Sequence, residues 1–383
     1  MLLHGIFPPI TTPFYPDGNV YFKKIEHNVE RYSRTPVAGI VVLGSTGEAV
    51  MLSDQERRDV LKSVREAAAP NKVLIAGTGA ESAIETLRMT EYAAELGYDV
   101  ALIRTPHFYR RQMQPANLLA FYRTVADRSP LPVMIYNVPP FTAYDIPAEL
   151  VIELAGHDNI VAIKESSGDV EKVRKMVEAT QEIKRNATVT ETFDAVTPRM
   201  IAAAASGSSA SNGGSGVLVQ VGAMAEGGEI SPHLAKERDM GHAQSSEKSS
   251  AGKPSSSAVT VVGKMKTRQK EVGFQVLVGA AQKLHASLEA GAVGAILAFA
   301  CPAPTACYEI YAAWKEGDAD LARLKQERIS TAAQRVGSDL GISGLKHAMD
   351  FNGYYGGLAR LPLLPLTAAL KADVERLMAD IRN

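Results

Sequence analysis

The chain has 383 residues, 46% of them hydrophobic, and a formal net charge of −1 at pH 7. This length suits one barrel-sized domain with additions, and this apolar fraction is enough to fill a large core. The near-neutral charge, with no long Lys/Arg run, argues against nucleic acid or an anionic membrane as a partner. The two cysteines, Cys301 and Cys307, are too few for a disulfide framework or a zinc site. They suit a reducing compartment and read as small buried hydrophobes. The opening MLLHGIFPPITTPF has too short an apolar stretch for a signal peptide and lacks a basic start. The segment AVGAILAFA (292–300) ends before Pro302, well short of a membrane span. The expectation is a cytoplasmic protein that needs no metal and no cofactor.

In chain order, short apolar, β-branched runs recur at 5–14 (GIFPPITTPF), 39–44 (GIVVLG), 72–79, 99–106, 132–139 (PVMIYNVP), 160–166 (IVAIKES), 274–280 and 294–300. Most are continuously hydrophobic, as strands buried on both faces of a parallel sheet are. Between them lie helical patterns such as 53–68 and 82–97. The first opens with Ser53 three residues before Glu56, a capping box. Eight strands alternating with helices predict a (β/α)₈ TIM barrel over residues 1–300, the alternative being a large doubly wound sheet. No GxGxxG follows an early strand, which weakens the dinucleotide-binding form of that alternative.

Residues 186–272 break the rhythm with stretches such as SGSSASNGGSG (206–216) and SSEKSSAGKPSSS (245–257). Such composition offers little apolar surface to offset chain entropy, so the insert is expected to be largely flexible. Within it, 217–224 and 258–265 could pair as a hairpin. The insert falls between the sixth helix and the seventh barrel strand, on the face opposite the chemistry of such barrels, and is expected to be silent in catalysis. A C-terminal helical region, 301–383, completes the chain, with an irregular GYYGGLARLPLLPL (353–366) inside it.

Lys164 lies inside the apolar run IVAIKES. An amine held in such surroundings without a carboxylate partner gives up its proton readily and can attack a ketone. The competing reading is a structural lysine paired with Glu165 or Asp169. Tyr136, at the end of the preceding strand, offers a phenol to move protons beside that amine, or packs as an ordinary strand-end tyrosine. The loop Gly44-Ser45-Thr46-Gly47-Glu48 offers hydroxyls and backbone N–H groups to a carboxylate or phosphate, or is a plain βα turn. All three sit at C-terminal strand ends, and together they form a site for a 2-oxo acid.

The segments GIFPPITTPF, GSTGE, TPHFY, YNVP and IKESSGD resemble, in order and spacing, the pyruvate-dependent class I aldolases typified by dihydrodipicolinate synthase and N-acetylneuraminate lyase. The resemblance covers about 4–185 and 273–370. It implies that Lys164 forms the Schiff base and that Tyr136 is the proton shuttle. It also implies that Ser45 and Thr46 bind the carboxylate, with Thr46 relaying protons to Tyr136, and that Gly279 and Ile296 line the pocket. Dihydrodipicolinate synthases carry an arginine where this chain has Phe141, and an inter-subunit tyrosine at the position of Phe108, with Tyr109 adjacent. The segments 77–82, 105–113 and 341–357 look like 4-hydroxy-2-oxoglutarate aldolases, which also lack the arginine. The expected function is retro-aldol cleavage of a 4-hydroxy-2-oxo acid by a homo-oligomer, a dimer or tetramer. Dihydrodipicolinate synthase and a sugar-acid lyase or dehydratase are the alternatives within the family. A non-catalytic oxo-acid-binding barrel is the alternative outside it.

Overall fold

The computed structural model describes residues 1–192, 194–207, 260–262 and 265–382. Six short parallel strands come first: β1 (Gly5–Ile6), β2 (Gly39–Val42), β3 (Val73–Gly77), β4 (Val100–Arg104), β5 (Val133–Asn137) and β6 (Ile160–Glu165). Three strands of another kind follow, β7 (Arg185–Thr190), β8 (Thr260–Val262) and β9 (Met265–Val272). The parallel series resumes with β10 (Gln275–Val278) and β11 (Gly294–Ala295). The eight parallel strands pair in the order β1-β11-β10-β6-β5-β4-β3-β2. The two ends of this order meet, since Ala38 N–H donates to Ile6 O (2.9 Å) and Ile10 N–H to Val41 O (3.0 Å). The sheet closes into the (β/α)₈ barrel that the strand–helix alternation predicts.

Alternation along each strand sorts the core into two layers. Phe7, Val41, Met134, Ala162, Leu277 and Ile296 belong to the cluster inside the barrel. Ile40, Val42, Ile135, Ile163 and Val276 belong to the larger cluster beneath the helices. The first and last strands are shorter than their apolar runs. Pro8 and Pro9 have no N–H to extend β1, and the end of the 294–300 run becomes a 3₁₀ turn at Ala298–Ala300. The capping box is present on the helix Asp54–Ala67: Ser53 Oγ accepts from Glu56 N–H, and the Glu56 carboxylate accepts from Ser53 N–H. Beyond β11 the helix Pro304–Lys315 lies against the barrel, with Ala306, Cys307 and Ile310 in the same cluster as the strands' outward residues. Among the described residues no helix is long and apolar enough to cross a membrane.

At the flanks of the insert, β7, β9 and β8 form a three-stranded antiparallel sheet and Pro198–Gly207 is a helix, while 208–259 lies outside the described residues. The reason lies in long-range burial that composition does not report. Ala187, Val189 and Val272 pack with Leu2, and Met200 joins the barrel's interior cluster from below. The Arg199 guanidinium pairs with the nearly buried Asp99 at 3.1 Å. Of the suggested hairpin, 217–224 lies outside the described residues; Thr260–Val262, in the other half, pairs antiparallel with β9. Replacing residues 190–268 by a short Gly/Ser joint is therefore expected to leave kcat within a few-fold, since the strand ends that carry the site are untouched. It should lower stability by at least about 2 kcal/mol, the scale of one buried Met side chain. Steady-state rates and denaturant unfolding of the deleted chain would check both. A fall of more than about a hundredfold in kcat from a folded deletion, about 2.7 kcal/mol in the barrier, would overturn the claim of catalytic silence.

Candidate active site

Lys164 and Tyr136 are cross-strand partners in the register of β6 and β5. Ala162 faces the barrel interior and Ile163 the helices, so alternation turns Lys164 inward, and the same count from Met134 turns Tyr136 inward. Both are buried, at 3% and 4% exposure. Lys164 Nζ stands 4.0 Å from the centroid of the Tyr136 ring. The two acids that could have made Lys164 structural are engaged elsewhere. Glu165, one step along the strand, accepts from Asn137 Nδ2 at 2.9 Å and from Ser167 N–H at 2.6 Å. It also pairs with Lys172 at 3.1 Å. Asp169 caps the helix Val170–Ala179 by accepting from Lys172 N–H. Among the described residues, no carboxylate pairs with Lys164.

The loop after β2 supplies the hydroxyls. Ser45–Gly47 is a single 3₁₀ turn, and Ser45 Oγ lies 2.9 Å from the Tyr136 hydroxyl. The resemblance implies that Thr46 relays to Tyr136; the contact is made by Ser45 instead. Successive side chains on a 3₁₀ turn diverge by about 120°, so only one of the two reaches the tyrosine. Thr46 is buried. Two backbone N–H groups of the loop, those of Gly47 and Glu48, close the turn on Gly44 O and Ser45 O. The Ser45 and Thr46 hydroxyls and the remaining amides take no part in closing the turn.

The loop is held from outside. Glu48 has φ 54°, a left-handed conformation unusual for a residue with a side chain. Its carboxylate pairs with Lys346 Nζ at 2.6 Å, with both side chains 1% exposed. It also accepts from Arg360 N–H at 2.8 Å. Lys346 Nζ donates further to Thr12 O and Leu358 O, and Thr12 Oγ1 donates to Gly47 O at 2.6 Å. Sequence reasoning missed Lys346, although a lone lysine among the apolar positions of GISGLKHAMDF is the signal that could have found it.

Ile296 belongs to the interior cluster that also contains Tyr136. Gly279 sits where a Cβ would come within 2.0 Å of Ser166 Oγ, so only glycine lets β10 approach the end of β6 so closely. Ser166 Oγ is itself buried without a hydrogen-bond partner among the described residues, a polar group at the mouth that the sequence reading did not single out. Phe108, Tyr109 and Phe141 are not gathered into the site, being 76%, 66% and 64% exposed in this single chain. Cys301 and Cys307 are fully buried. Burial first, and then Cys307, push the Cys301 thiol well above its ordinary range, so it is no thiolate nucleophile at neutral pH.

The model of the dihydrodipicolinate synthetase family matches residues 2–235 and 251–381. The 4-hydroxy-tetrahydrodipicolinate synthase of Methanothrix thermoacetophila is 35% identical over 206 residues, 54% of this chain and 68% of that protein. The enzyme of the same name from Methanosarcina barkeri is 37% identical over 180 residues, covering 47% and 60%. The Haloarcula marismortui enzyme is 35% identical over 179 residues, covering 47% and 58%. The aligned segments thus span about two thirds of these relatives or less. Among solved structures, YagE from E. coli K12, in complex with pyruvate, superposes with a TM-score of 0.71 at 22% identity, covering 100% of this chain and 99% of that one. The 4-hydroxy-tetrahydrodipicolinate synthase of Methylacidiphilum fumariolicum SolV gives 0.69 at 20% identity, covering 99% and 95%. These structural likenesses bear on the fold alone.

Proposed function

From a chain that belongs to the dihydrodipicolinate synthetase family, and so is a carbon–carbon lyase of the lysine Schiff-base kind, we propose a retro-aldolase that cleaves a 4-hydroxy-2-oxo acid to pyruvate and an aldehyde. The observation that carries the chemistry is the inward pairing of Lys164 and Tyr136, with Ser45 on the tyrosine hydroxyl. The Lys164 amine attacks the C2 carbonyl, and loss of water gives an iminium. Tyr136 takes the proton of the C4 hydroxyl as the C3–C4 bond breaks, and the electron pair passes into the iminium as an enamine. Protonation at C3 and addition of water then release pyruvate and restore the amine. The hydroxyls of Ser45 and Thr46 hold the substrate carboxylate, while Gly279 and Ile296 shape the wall around it. Phe108, Tyr109 and Phe141, exposed in the single chain, are read as rim residues covered in a homo-oligomer, a dimer or tetramer. The barrel is taken as residues 1–300 carrying the insert 186–272, with a helical region from 301 to 383, in a cytoplasmic enzyme that needs no metal or cofactor.

Phe141 supports the aldolase over the synthase. A semialdehyde carboxylate entering over the YNVP loop needs a cation there, and Phe141 supplies none. Of the two arginines near the mouth of β4 that could substitute, Arg104 and Arg110, Arg104 is committed to Glu81 at 2.7 Å and to His107 at 2.8 Å. The names of the relatives favour the second reading, 4-hydroxy-tetrahydrodipicolinate synthesis. The expected result is a kcat/KM for 4-hydroxy-2-oxoglutarate at least about a hundredfold above that for pyruvate plus aspartate semialdehyde, roughly 2.7 kcal/mol. Phe141→Arg should narrow that gap by improving the semialdehyde reaction. Equal efficiencies in the unmodified chain would transfer the assignment to the synthase.

A further inference from the structure

The barrel has a cavity at the end opposite Lys164. It measures about 660 Å³ and lies between the N-terminal ends of the strands and the insert's sheet and helix. Among the described residues its walls include His4, Ala38 and Lys72, which precede β1, β2 and β3, as well as Met200, Lys270 on β9, and Tyr308, Tyr311 and Lys315 from the helix Pro304–Lys315. We propose that this cavity binds a small organic anion, a carboxylate on an apolar or aromatic body. The volume falls in the range of about 300–1,000 Å³ typical of ligand sites, and apolar walls with a few converging polar groups are their usual composition.

The charge on those walls selects the ligand. Lys72 is 6% exposed, and its ammonium is held by Thr35 O at 2.7 Å and Val37 O at 2.8 Å. Among the described residues no carboxylate pairs with it or with Lys315. A buried ammonium satisfied only by carbonyls leaves its positive field uncancelled, which an anion in the cavity would relieve. Lys315 adds a further positive charge, and among the described residues Asp194 is the one carboxylate in the lining. Burial first, then Lys270 and Lys315, lower His4 to about 4, so at neutral pH its ring is uncharged, with one N–H to donate. Burial first, then Tyr308 and Asp194, push Tyr311 up to about 12, which keeps its phenol a neutral donor. The cations draw in the anion, the neutral donors fix its orientation, and Met200 with the tyrosine rings covers its body.

The test titrates the full chain with 2-naphthoate and with its neutral counterpart 2-naphthylmethanol, read by calorimetry and by the shift in unfolding temperature. One saturable naphthoate per chain is expected, with the alcohol at least about tenfold weaker and the unfolding temperature rising with naphthoate concentration. Lys315→Glu should weaken naphthoate about tenfold and leave turnover unchanged, and saturating pyruvate should not compete. Lys315→Met stands in if the glutamate variant does not fold, and the acid–alcohol comparison needs no variant. No binding, equal binding of acid and alcohol, or displacement by pyruvate would each overturn the proposal. None of these arms depends on which aldehyde the mouth of the barrel accepts.

Discussion

Lys164→Ala is expected to abolish turnover, by at least about 10⁴-fold, the scale seen when the nucleophile of a covalent mechanism is removed. The side chain is buried, its amine pairs with no carboxylate among the described residues, and Tyr136 faces it across one strand pair. Truncation therefore removes the attacking group without orphaning a charged partner, so the fold should persist. Borohydride reduction in the presence of pyruvate should label the unmodified chain on the peptide that contains Lys164 and leave the alanine variant unlabelled. A label on any other lysine would refute the assignment. So would activity that is lost in a chelator and restored by zinc, since an iminium needs no metal as electron sink.

Lys346→Met is expected to cost about 3–5 kcal/mol of stability, because removing one member of a buried ion pair strands the other. Glu48 would lose its partner in a 1% exposed environment while still held at positive φ. Thr12 O and Leu358 O would lose a donor as well. The damage should reach the site, because Glu48 closes the loop that begins with Ser45 and Thr46. In whatever fraction stays folded, KM for the oxo acid should rise more than kcat falls. Adding Glu48→Gln should recover part of the lost stability, since the stranded charge is then gone. Denaturant unfolding of the two single variants and the double variant measures this coupling. If Lys346→Met unfolds within about 1 kcal/mol of the unmodified chain, the strut is not what holds the loop.

The barrel and the placement of Lys164 were legible in the amino-acid sequence because both rest on local pattern. Continuous apolar runs of four to eight residues mark parallel strands, and the period of two along β5 and β6 puts Met134 with Tyr136, and Ala162 with Lys164, on one side. Phe141 and the hydroxyls of the GSTGE loop were visible for the same reason, as residue types at strand ends. What joins distant parts of the chain was decided only in three dimensions. Ser45 rather than Thr46 meets Tyr136 because the loop winds into a 3₁₀ turn. Lys346 reaches Glu48 from nearly three hundred residues away, and no local period announces such a pair. The insert is the sharpest case. Its Ser/Gly-rich composition predicts too little apolar surface to fold alone. Its flanks find their burial in the open end of the barrel, where Met200 and Val189 meet residues that are already ordered. Whether a segment offsets its chain entropy depends on the surface it lands on as well as on its own composition.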